Sequence, residues 1–153
     1  MATFGTFVDG VTLKASELND LFIRTSFTPV LRQPASISVL GGRIGFYQRV
    51  NDLILCQINV SATNIGTANN RIEIDLPVTA ATNAERVVGF GFIEDDSANV
   101  CYRVAVVRVS TTRVAFLAEG STSLTTYVGQ TGGPTLTIDT GDTVSLNIVY
   151  QAA

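Results

Sequence analysis

Over most of the chain, apolar and polar residues alternate with a period of two, the spacing of a strand that buries one face. Ile72, Ile74 and Leu76 alternate with Arg71, Glu73 and Asp75, and Pro77 stops the run. Leu53 to Thr63 sets Ile54, Cys56, Ile58, Val60 and Ala62 on one side. Thr143 to Tyr150 does the same with Val144, Leu146, Ile148 and Tyr150. Arg43 to Val50 divides into Ile44, Phe46, Gln48 and Val50 on one face and Arg43, Tyr47 and Arg49 on the other. The long polar side chains of the second set point to a solvent or interface side. Val100 to Val109 is almost continuous Val and Ala, the pattern of a strand buried on both faces.

Turn residues separate these runs. Gly41-Gly42, Asn51-Asp52, Glu94 to Ser97, Ser110 to Thr112 and Gly141-Asp142 are all turn signals. Asn51-Asp52 joins two long strands as a tight hairpin. Arg86 to Glu94 is a strand interrupted by Gly89 and Gly91, which predict a bulge or a close backbone approach. Ile37 and Val39 alternate with Ser36 and Ser38 in a short early strand, Val114 to Leu117 follows the Ser-Thr turn, and Leu136 and Ile138 open another strand. Glu119 to Pro134 is rich in Gly, Ser and Thr and reads either as a long loop or as an edge strand with a loop.

The exception is the start of the chain. From Thr12 the spacing changes to three and four, with Leu18, Leu21 and Phe22 on one side and Glu17 and Asp20 opposite. Thr12 or Ser16 can cap a helix there, and Glu17 suits its first turn. A helix of about two to three turns is marginal alone in water and needs a packing partner. Pro29 and Pro34 bracket an extended lead-in to the strands.

About eight to ten strands with short turns make the chain all-β. The architecture expected is an antiparallel β-sandwich, jelly-roll-like, behind a short N-terminal arm that contains one small helix. The division is residues 1–30 for the docking arm and 31–153 for the sandwich domain.

Composition narrows the function. The chain has 153 residues, enough for one full core. Only 15% of them are charged, against roughly 25% in ordinary soluble domains, which points to surface covered by partners. A net charge of −3 argues against nucleic acid as a partner. No apolar run approaches the length of a membrane span, and the N-terminus has no secretory pattern, so a cytoplasmic origin is expected and no membrane partner. The basic residues are nine Arg and one Lys, Lys14, a bias that suits interfaces. Cys56 and Cys101 both read as small buried hydrophobes rather than reactive or bridged thiols.

The chain has no histidine, which removes His-based general bases, triads and His-ligated metals. No phosphate-binding loop is present. No catalytic residue, cofactor or metal is therefore expected, and the chain is not expected to be an enzyme. Glu94, Asp95 and Asp96 with Asn99 are oxygen-rich enough for calcium, but their spacing fits a solvated hairpin turn better. Arg43, Tyr47 and Arg49 form a candidate subunit or ligand interface, because Arg and Tyr are enriched where proteins meet. Tyr127 and Gln130, in the loop Gly120 to Pro134, are candidate sugar or protein contacts.

The run Phe7-Val8-Asp9-Gly10-Val11-Thr12-Leu13-Lys14-Ala15-Ser16-Glu17-Leu18-Asn19 resembles an N-terminal pattern in tailed-bacteriophage virion proteins. The strands from Gly42 to Val50, from Leu53 and from Ile72 to Pro77 are similar to a sandwich common in phage appendages. The resemblance implies a virion structural protein, assembled in the host cytoplasm and often a homotrimer. With no shaft between arm and sandwich, it implies a capsid decoration (cement) protein that oligomerises and grips the major capsid protein, or another virion protein, through Phe4, Phe7, Leu18, Leu21 and Phe22. The alternative it carries is a tail-fibre or spike module that recognises host surface carbohydrate.

Overall fold

The computed structural model describes residues 23–37, 44–118 and 126–153. The expected helix, all five arm residues (Phe4, Phe7, Leu18, Leu21, Phe22) and Arg43 lie outside them.

Every described element is a strand, and every pairing is antiparallel. The strands are β1 (Thr25–Phe27), β2 (Leu31–Arg32), β3 (Ser36–Ile37), β4 (Ile44–Val50), β5 (Leu53–Ser61), β6 (Glu73–Asp75), β7 (Val87–Asp95), β8 (Val100–Arg108), β9 (Arg113–Ala118) and β10 (Thr143–Gln151). They form one ten-stranded sheet in the order β1-β4-β5-β10-β7-β8-β9-β6-β2-β3.

That order dictates the shape. β1 and β2 stand eight strand steps apart, which at ~4.8 Å per step is ~38 Å along a flat sheet. Yet only residues 28–30 join them, a link that spans at most ~14 Å. The sheet must therefore curl until its two ends approach each other. Its concave side closes on a single core to which nearly every strand contributes: Leu31 and Ile37 at one end, Ile54, Ile58, Leu146 and Ile148 in the middle, Val106, Phe116 and Ile74 beyond.

The alternation read from the sequence places the central strands correctly. Ile54, Cys56, Ile58 and Val60 of β5 point inward opposite Tyr150, Ile148, Leu146 and Val144 of β10. Full burial of such side chains stabilises by about 1.5–3 kcal/mol each before ordering costs. β7 reaches β10 closely because its inward positions include glycine. A Cβ on Gly91 would stand 2.4 Å from the Ser145 carbonyl oxygen, and one on Gly89 would stand 2.1 Å from that of Asn147. The register shift expected near them falls between Val87 and Gly89.

Three readings change. Tyr47 pairs with Cys56, Gly45 with Ile58 and Arg49 with Ile54, so β4 turns its Tyr47 face toward the core and its Phe46 and Gln48 face outward. Hydrophobicity alone ranks Phe46 above Tyr47. Pairing to β5 decides instead, and the Tyr47 ring meets Phe27 edge-on at 6.0 Å. Cys101 is exposed rather than buried, because β9 pairs with β8 only from Val104 to Arg108 and the first half of β8 extends past it. Leu136 and Ile138 are buried, but in extended chain outside any strand.

One end of the core is closed by a buried side-chain amide. Gln33 is 1% exposed. Its Nε2 donates to the carbonyls of Asn70 (2.9 Å) and Leu136 (2.8 Å), and its Oε1 accepts from the Ile138 N–H (2.8 Å). Its backbone carbonyl accepts from the Thr67 N–H at 2.8 Å. One residue thus ties β2 to the two connections that cross this end, residues 62–72 and 134–142. Gly129 lies against it with φ 85°, and a Cβ there would meet Nε2 at 2.7 Å, so both conformation and space call for glycine.

Further along the second of these connections Asp142, 1% exposed, accepts from the N–H of Asp96 (3.0 Å) through Oδ1 and that of Asp139 (2.8 Å) through Oδ2. Burial raises its pKa above the ordinary aspartate value. The two N–H groups pull it back, and the nearby Asp95 and Asp139 carboxylates add to the rise.

Two outcomes are expected. Gln33→Leu leaves two carbonyls and one N–H without their partner and lowers unfolding stability by about 3 kcal/mol or more, read as an earlier urea midpoint at unchanged slope. For Asp142 the folded pKa exceeds the unfolded one, so the native state holds its proton more tightly. The residue's contribution is greatest at acid pH and declines as pH rises from the ordinary aspartate value through the raised one. Urea midpoints of the wild type minus those of Asp142→Asn, measured across that range, should fall with pH. A flat difference would contradict this assignment.

Candidate functional site

The convex side of the sheet is unequally covered. Over β8 and β9 it carries a second, smaller apolar cluster. Val107, Ala115 and Leu117 are buried beneath Tyr127, with Ala105 and Val109 at the margin. Tyr127 is fixed there: Arg86 Nη2 donates to its hydroxyl at 3.2 Å, and the Arg71 guanidinium stands 5.5 Å from its ring centre. Val128 beside it belongs to the main core instead, its backbone donating to the Phe116 carbonyl and accepting from the Ile72 N–H.

Toward β5, β10 and β7 none of the described residues covers it, and exposed apolar side chains stand among a few polar ones. The register sets the residues side by side. Leu55 pairs with Val149, Gln57 with Asn147, Asn147 with Phe90, Ser145 with Phe92, and Phe92 with Arg103. Leu53, Leu55, Val149, Phe90 and Phe92 are all exposed, Phe90 to 70%. Phe90 stands as a ridge between two open grooves. One, of about 440 Å³, is bounded by Arg24, Phe46, Gln48, Leu55 and Val149. The other, of about 490 Å³, lies among Phe92, Arg103, Ala105, Ser145 and Asn147. Single exposed apolar residues are ordinary on a protein surface, but a contiguous strip with grooves is the form of a docking surface.

A signal for this strip exists in the sequence. In β7 the large residues Phe90 and Phe92 alternate with Gly89 and Gly91, so glycine takes the inward positions and the aromatics are forced out. In β5, Leu53 and Leu55 alternate with Ile54 and Cys56, leaving apolar residues on both faces at the start of the strand.

The residues singled out from sequence are not brought together. Tyr47 faces the core, half-buried. Arg49 bends back on its own hairpin, donating to the Asn51 carbonyl at 2.7 Å, with Asp52 at 3.8 Å. Tyr127 lies buried on the opposite side of the sheet from Tyr47. Gln130 holds a turn through its backbone, donating to the Tyr127 carbonyl and accepting from the Gly133 N–H. The carboxylates of the acidic turn serve local structure. Asp95 accepts from the Ser97 hydroxyl and the Ala98 N–H at 2.8 Å each, and Glu94 accepts from the Thr143 hydroxyl at 2.9 Å.

A network missed in the sequence crosses β2, β6 and β9. Arg32 forks onto Asp75 at 2.7 and 2.8 Å, Arg113 reaches Glu73 at 3.2 Å and Asp75 at 3.3 Å, and Arg71 binds Glu73. Glu73 itself is buried, while the arginines and Asp75 are partly exposed, and the main effect of the network is to fix register. Among the described residues no group of His, Cys, Asp and Glu is placed to hold a metal ion. No protein-family model, curated protein or solved structure matches this chain.

The two thiols should separate cleanly. Cys56 is buried and its pKa is pushed up to about 12 by burial, whereas Cys101 is exposed. A thiol reagent at neutral pH should label Cys101 in the native protein and Cys56 only after denaturation, with peptide mapping to assign the sites. Labelling of native Cys56 would contradict its placement.

Proposed function

We propose that this chain is a non-enzymatic structural protein of a bacteriophage virion, a capsid decoration protein that oligomerises and stabilises the head lattice, anchored in part by its N-terminal arm. The observation that carries the reading is the apolar strip on the convex face. A chain this poor in charge leaves Leu53, Leu55, Phe90, Phe92 and Val149 open side by side, in a body whose core is otherwise closed. Assembly surfaces are built this way: aromatic and aliphatic residues at the centre, with Arg24 and Arg103 at the margins. The resemblance of residues 7–19 to virion arms supplies the choice of particle, and the jelly-roll-like sandwich is the finer reading of the curled sheet in this proposal. A major capsid protein and further copies of this chain are the partners it implies.

Mass spectrometry of purified particles, followed by a cryo-EM map, tests this. The chain should be present in many copies and located on the head surface. A position on the tail alone, or absence from purified particles, would overturn the reading.

A further inference from the structure

The two grooves beside Phe90 form one track, since Phe90 and Asn147 border both. The track runs across the sheet from the β1 side to β8. Its described walls are uncharged, with two exceptions: Arg24 stands at one end and Arg103 at the other. Among the described residues no carboxylate lines either groove. The next outward side chain along β7, Glu94, lies beyond them and accepts from the Thr143 hydroxyl at 2.9 Å. A chain of net charge −3 thus presents a strip whose bordering charges are both positive. We propose that the strip is the docking site for an acidic segment of another protein. That segment sets aromatic or aliphatic side chains into the grooves on either side of Phe90 and carboxylates against Arg24 and Arg103. The inference rests on reading the strip as a docking surface, though not on the identity of the particle.

Charge selects this occupant. A second copy offering the same face would meet two arginines with two more and supply no carboxylate to either, and like charges brought together at an interface are costly. A nucleic acid supplies anions, but two arginines are too few to hold a phosphate backbone against an acidic body. Arginine suits a carboxylate, because its planar guanidinium forks onto the two oxygens and is weakly hydrated. The apolar centre supplies the affinity, while the arginines at the rim choose the partner and speed its encounter. Shape agrees with charge. Two outward-bending faces meet over a narrow band, whereas an extended segment can follow the curve along its whole length. β1 and β8 are five strand steps apart, ~24 Å along the sheet at ~4.8 Å per step. An extended chain covers that distance in about seven residue steps.

The probes are therefore fluorescein-labelled eight-residue peptides with Phe at the third and sixth positions, Ser and Gly between them, and either Glu or Lys at both ends. Their affinities for the full chain are measured by fluorescence anisotropy at low salt. The Glu-ended peptide should bind about tenfold more tightly than the Lys-ended one. That gap should close to about twofold or less in the double variant Arg24→Gln, Arg103→Gln, and likewise in about 1 M salt. Phe90→Ser, at a side chain already exposed to solvent, should weaken both peptides by about tenfold. Equal affinity of the two peptides, no saturable binding of the Glu-ended one, or undiminished binding to the Phe90→Ser chain overturns the proposal. Light scattering is run on the same proteins. An oligomer of the full chain that Phe90→Ser dissociates assigns the strip to a second copy and also overturns it. Absence of the chain from purified particles would remove the virion reading and leave this result standing.

Discussion

The short link between β1 and β2 is the constraint on which the rest of the molecule depends. Three residues connect strands that stand at nearly opposite ends of a ten-stranded sheet. A sheet with ordinary right-handed twist already coils, and this link fixes how far. Once the ends approach, the concave face has no access to water, and the alternation in β5 and β10 becomes a closed core. Closure also creates a cost, because connections must cross the ends of that core and carry peptide groups with them. Gln33 meets it with a single amide that satisfies two carbonyls and one N–H, and Asp142, further along one of these connections, satisfies two N–H groups.

Curling also decides the fate of the convex face. A face that bends outward cannot pack on itself, so it is covered only where another segment crosses it. Tyr127 packs over β8 and β9 and buries Val107, Ala115 and Leu117. No described segment crosses β5, β10 and the aromatic side of β7. The same sheet therefore has a finished surface at one end and an apolar, grooved one in the middle. That asymmetry is the observation on which the proposed assembly role rests: one surface stable in water and one open to contact.

The identity and inward faces of β5, β10 and the short β6 could be read from the sequence, because a period of two with branched apolar residues leaves little choice there. The turns at Asn51-Asp52 and Gly141-Asp142 were equally plain, and Asn51 and Gly141 adopt the positive φ their types allow. The candidate interface was less legible. Arg43, Tyr47 and Arg49 look like a polar outer face when β4 is read alone, yet pairing to β5 sends Tyr47 inward. Tyr127 looks like a loop contact until it is found under Arg71 and Arg86. Each local pattern was correct as a periodicity, and each lacked the neighbour that says which side is which.

The sequence by itself determined an all-β chain, its hairpins, the inward faces of β5 and β10 and a deficit of charge, because these follow from side-chain period and from the conformations that Gly, Asn and Pro favour. Only the tertiary structure decided the strand order, the curl, the burial of Gln33 and the open strip around Phe90. Those depend on contacts between residues distant in the chain: Leu31 beside Ile74, Gln33 beside Ile138, Leu55 beside Val149 beside the groove of Phe90. A strand's own alternation gives two faces, and only its partners choose which of them meets water.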